Sequence, residues 1–230
     1  MKYILSRTDD YKHHSKKWIV GYGLLFWFIT RIIAMVALMA CMAVYNRFGL
    51  NPEQMTKFAG NPETAKTLGS TLYVLCTVTL VAPLLEECIF RLGLSFKRIH
   101  IALGLAAIPL YVMWQHSAIL TVASAAIYIT VIAAVFCSVY FLTSDEFWLC
   151  AKRRYYNLAI WLTAFGFGLI HLIAFTHYSL ELLPYMLFVI AMPFFAGCAI
   201  TYYRINLGFW WGVGLHVFNN LPAVFLLLNQ

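Results

Sequence analysis

Charge is scarce in this chain. Asp, Glu, Lys and Arg together make up 11% of its 230 residues, where a soluble domain carries about a quarter, so no soluble domain of ordinary composition fits. Acidic residues are the scarcer half: nine Asp and Glu against sixteen Lys and Arg, for a formal net charge of +7. That excess does not indicate a nucleic-acid partner, because the basic residues are scattered between apolar spans and never form one patch. Paired cysteines are lacking as well. Cys41, Cys76, Cys88, Cys137, Cys150 and Cys198 have neither disulfide-framework nor metal-ligand spacing, and most lie in apolar runs, where cysteine acts as a small hydrophobe. No internal repeat or low-complexity segment is present. No secretory signal is expected either: Met1 to Lys17 is polar and basic, and the apolar stretch that follows is too long for a signal core.

What the chain has in abundance is apolar length. Hydrophobic residues make up 63%, and the mean hydropathy is +0.78. The pattern predicts an all-α, polytopic transmembrane bundle of about seven spans (residues 18–230) behind a short basic cytoplasmic tail (residues 1–17). The spans are placed near 18–45, 67–96, 101–120, 121–142, 157–175, 180–203 and 207–228, each approaching or exceeding the roughly 20 residues a bilayer requires. Arg31 interrupts the first and should face protein or snorkel. Basic residues set the orientation. With the N-terminus inside, Lys2, Arg7, Lys12, Lys16, Lys17, Arg91, Lys97, Arg98, Lys152, Arg153, Arg154 and Arg204 fall inside, and only Arg47, Lys57 and Lys66 outside. The C-terminus is then outside.

Ionisable groups within such spans are costly, so they mark function by default. Glu86-Glu87-Cys88-Ile89-Phe90-Arg91 ends an apolar run, and Pro83 stands one turn earlier as a candidate bend. On a helix, Glu87 and Arg91 share a face and suit an internal ion pair, while Glu86 points about 100° away, its carboxylate left for other work. The competing reading is a carboxylate pair at a membrane interface, neutralised by Arg91, Lys97 and Arg98. In the fifth span, Phe167 and His171 are four apart. In the seventh, His216 and Asn220 are four apart, with Asn219 as a possible helix cap. Singly, each His or Asn has a plain alternative as an interhelical hydrogen-bonding residue. Together, Glu86, His171, His216 and Asn220 are the parts of a hydrolytic site. His116 reads as an interhelical hydrogen-bonding residue, with a place along the substrate path as the alternative; His100 and His177 fall at predicted interfaces.

Glu-Glu-x-x-x-Arg (Glu86 to Arg91), Phe-x-x-x-His (Phe167 to His171) and His-x-x-x-Asn (His216 to Asn220), in that order and each in an apolar span, resemble the CPBP family. This is the intramembrane endopeptidase family of CAAX prenyl endopeptidases and bacteriocin-processing or immunity-associated proteins, also called ABI. The interval between Arg91 and Phe167 is longer than the family pattern, which makes the third and fourth spans an inserted pair. The resemblance implies peptide-bond hydrolysis. An apolar setting makes a carboxylate a stronger base, so Glu86 would activate the water and His171 would orient it. His216 and Asn220 would stabilise the oxyanion, a role in which one donor is worth about 2.7–4 kcal/mol. Glu87 and Arg91 would hold Glu86 in place, with Phe167 packing beside the imidazole.

No cofactor is favoured. Zinc is the alternative, with Glu86, His171 and His216 as a three-ligand set and an open water position; Asn220 beside His216 favours the metal-free version. The expected partners are a peptide or membrane-protein substrate and the lipid bilayer, with no nucleic acid, and the favoured location is a bacterial cytoplasmic membrane. Two other functions compete: a catalytically silent peptide-binding or bacteriocin-immunity protein, and a proton-linked transporter. The transporter is disfavoured by the lack of paired Gly/Pro-broken helices.

Overall fold

The computed structural model describes residues 15–49, 75–115, 121–175 and 178–228, for 115, 174 and 223–228 the backbone only. Most of the basic tail, the polar segment after Arg47, the start of the second predicted span, and His116 and His177 lie outside the described residues. The described chain is all-α, with α1 (Lys16–Arg47), α2 (Ala82–Arg91), α3 (Arg98–Gln115), α4 (Val122–Leu142), α5 (Asp145–Leu169), α6 (Leu183–Asn206) and α7 (Phe209–Leu228). A π-helical turn, Thr77–Val81, leads into α2. Lys16–Arg47, Val122–Leu142, Asp145–Ile173 and Leu180–Asn206 are each long and apolar enough to cross a membrane. α4 buries none of its residues, although it is apolar on every side. A large exposed apolar surface of that kind fits a lipid surround.

The chain forms two compact units, one of Met1–Val81 with Ala164–Gln230 and the other of Ala82–Thr163. In the first, α6 is the central element. Its residues from Ala196 to Tyr203 are buried without a break, as expected of a helix packed on more than one side. α1 lies along it, and contact is close at Gly23, where the Tyr203 ring occupies the space a Cβ would need. The Tyr203 hydroxyl donates to the Val20 carbonyl at 2.7 Å. Further along α1, Tyr45 packs with Phe175, Leu182, Tyr185 and Val189 and donates its hydroxyl to the Glu181 carbonyl at 2.5 Å.

In the second unit, α3 packs against both α2 and α4. Arg98 fastens the turn between α4 and α5: its backbone N–H donates to Asp145 at 3.2 Å, its guanidinium donates to the Thr143 carbonyl at 3.3 Å and lies 4.4 Å from the Tyr140 ring centroid. α5 begins at Asp145, well before the predicted start of the fifth span at Asn157, so Lys152 to Arg154 sit on the helix itself. The local reason is capping. The Ser144 hydroxyl accepts from the Phe147 N–H at 3.1 Å, Asp145 and Glu146 occupy the first turn, and both favour a helix start.

The second predicted span is not one helix through Phe96. α2 ends at Arg91, a 3-10 turn follows over Leu92–Ser95, and Phe96 takes left-handed φ 56°. Ser95 and His100 close this corner, hydroxyl to Nδ1 at 2.8 Å. All six cysteines are free thiols.

Candidate active site

Glu87 and Arg91 form the ion pair that their spacing on α2 implies. Arg91 Nη1 donates to Glu87 Oε1 at 2.6 Å, and both side chains are fully buried. That contact takes Glu87 up as a structural partner. Glu86 is buried as well, on another side of α2, and the Tyr111 hydroxyl of α3 donates to its Oε1 at 3.4 Å. This is a long bond. α3 comes close because Gly104 carries no side chain: a Cβ there would stand 2.8 Å from the Cys88 carbonyl oxygen.

In the other unit, the Phe167 ring is the meeting point of two imidazoles. His171 stands edge-on to it, centroids 5.2 Å apart and planes at 82°. His216 of α7 does the same at 5.3 Å and 87°. Phe167 and His216 are both 2% exposed. His171 lies in the 3-10 turn Ile170–Ala174, with Nδ1 2.8 Å from the Phe167 carbonyl oxygen. A carbonyl only accepts, so Nδ1 carries the proton and Nε2 is the acceptor of the neutral ring. The backbone thus fixes the tautomer that suits proton abstraction or ligation.

Asn220 is held at both ends. Its Oδ1 accepts from Asn219 Nδ2 at 3.1 Å, and its Nδ2 donates to the Val78 carbonyl at 3.0 Å. The π turn explains why that carbonyl is available. In the π register the donor to residue 78 would be the backbone of residue 83, and Pro83 has no N–H. A half-buried carbonyl left in this way is open to another donor. Asn220 supplies it, so the predicted interhelical bond is present alongside any catalytic role.

Comparison of the chain with protein-family models, with curated proteins and with solved structures finds no match. Function therefore rests on the side chains themselves. Among the described residues, no group of three His, Cys, Asp or Glu side chains gathers to hold a metal ion.

The structure brings together His171, Phe167 and His216 in one unit, and Glu86, Glu87 and Arg91 in the other. Asn219 does not cap a helix end, since α7 continues to Leu228; its side chain turns instead to α1. There its Oδ1 accepts from Trp27 Nε1 at 3.0 Å and from Arg31. Trp27, Tyr111 and Asn219 were not legible as site residues. The one available signal was Arg31, a cation in an apolar span.

Proposed function

We propose that the chain is an intramembrane endopeptidase of the CPBP type. In this reading it crosses the bilayer about seven times, N-terminus inside, in a bacterial cytoplasmic membrane, and cleaves a peptide or membrane-associated protein. The supporting observation is the convergence of His171 and His216, from distant parts of the chain, on the buried Phe167 ring. The backbone carbonyl of Phe167 holds Nδ1 of His171, which leaves Nε2 as the acceptor that a water-orienting role requires.

The resemblance assigns each residue its step. Glu86 accepts a proton from a water oriented by His171. The water oxygen attacks the peptide carbonyl carbon, and the charge developing on the carbonyl oxygen is met by N–H donors from His216 and Asn220. A carboxamide nitrogen carries two hydrogens. Val78 takes one, and the second serves the oxyanion. Glu86 returns its proton to the leaving amine as the C–N bond breaks, giving a carboxylate and an amine. Glu87 and Arg91 hold α2 in position.

The test is proteomics of peptide termini in membranes carrying the wild type, Glu86→Gln or His171→Ala. New termini present only with the wild type, at equal expression and insertion, are expected. Identical termini in all three would leave the silent peptide-binding or immunity reading standing. Cleavage by purified protein that survives exhaustive chelation supports the metal-free mechanism, and loss restored by zinc reverses it.

A further inference from the structure

Arg31 lies near the middle of the 32-residue α1, where a cation is costly. A neutral glutamine could hold Asn219 by a hydrogen bond, so the question is what a charge adds. Arg31 donates to Asn219 Oδ1, as does Trp27 Nε1 at 3.0 Å, and the guanidinium carbon stands 5.8 Å from the Trp27 ring centroid. Among the described residues no carboxylate is bonded to Arg31.

From Asn219 the bonds continue in one direction: Asn219 Nδ2 to Asn220 Oδ1 at 3.1 Å, then Asn220 Nδ2 to the Val78 carbonyl at 3.0 Å. Both ends are chemically unambiguous. Arg31 and Trp27 can only donate, and a carbonyl can only accept, so the orientation of both carboxamides is forced. Hydrogen bonds aligned head to tail polarise one another, and a charged donor at the head strengthens those downstream.

We propose that Arg31 is a positioning residue for Asn220, acting through Asn219. Its charge is relayed along the two carboxamides, fixes the Asn220 side chain and makes its N–H groups stronger donors. The relay stands on the geometry of one unit; its catalytic consequence, a better oxyanion donor, rests on the peptidase reading.

Two readouts separate these. The first is NMR of protein carrying 15N-labelled asparagine in lipid nanodiscs, with the Asn220 side-chain pair identified by its loss in Asn220→Asp. Arg31→Met and Asn219→Ala should move that pair upfield, and Arg31→Lys should leave it near the wild-type position. A folded Arg31→Met or Asn219→Ala protein whose Asn220 pair does not move overturns the relay. The second is turnover of a quenched-fluorescence peptide library. Arg31→Met should lower kcat about tenfold, less than the roughly 100–1,000-fold of deleting an oxyanion donor. KM should stay unchanged, and Arg31→Met should add nothing in an Asn220→Ala background. A moved pair with unchanged kcat overturns the catalytic consequence. A moved pair with no cleavage by the wild type ends the peptidase reading and leaves the relay standing.

Discussion

Phe167 and His216 meet edge to face across two helices, ring centroids 5.3 Å apart and planes at 87°. Aromatic contacts in this orientation are worth about 0.5–1.5 kcal/mol beyond area burial. Phe167 makes two of them, the second with His171. Phe167→Leu keeps most of the volume and should cost less than about 1.5 kcal/mol of stability while removing the ring that both imidazoles face. Thermal unfolding and peptide turnover measured together decide the point. A variant as active as the wild type would reduce Phe167 to packing.

Gly168, next in the chain, permits the close approach of α6. A Cβ there would stand 2.8 Å from the Ile190 carbonyl oxygen and 3.2 Å from both Ile190 Cγ2 and Phe194 Cβ. Backbone cannot give way as a side chain does, so Gly168→Ala should destabilise by about 1–3 kcal/mol. The measurement is the thermal midpoint in detergent. An unchanged midpoint would show that the two elements separate without cost.

The Glu87–Arg91 pair is fully buried, so removing one partner strands the other. Glu87→Leu and Arg91→Met should each cost about 3–5 kcal/mol, and the two together far less, because a buried pair is often no better than apolar side chains of its size. A double-mutant cycle on unfolding checks this. Additive losses would deny the coupling.

Asn220→Ala should cost about 0.5–1.5 kcal/mol, the net worth of its hydrogen bond to the half-buried Val78 carbonyl. Pro83→Ala supplies a backbone N–H to that carbonyl, so the cost of Asn220→Ala should shrink in a Pro83→Ala background. An equal cost in both backgrounds would show that Pro83 is not the reason Val78 needs Asn220.

Much of this protein is legible without coordinates. The all-α class follows from long apolar runs, and the helix positions follow where polar punctuation is clear. The Glu87–Arg91 contact is local, four residues apart on one helix, and spacing alone gives it. α5 starts well before the fifth predicted span because hydropathy marks only the apolar part of a helix, whereas the Ser144 cap decides where the helix begins. The π turn was equally hidden: Pro83 signals a disturbance but not the register that absorbs it.

The sequence by itself determined the apolar helices, the scarcity of charge and the residue types available for chemistry, because these depend on composition and on neighbours three or four positions away. Only the tertiary structure decided that His171 and His216 share the Phe167 ring, that Asn220 answers the Val78 carbonyl, and that Arg31 reaches Asn219. Apart from the local Phe167–His171 pair, those contacts join residues 49 to 188 positions apart, through side-chain directions that no local periodicity encodes.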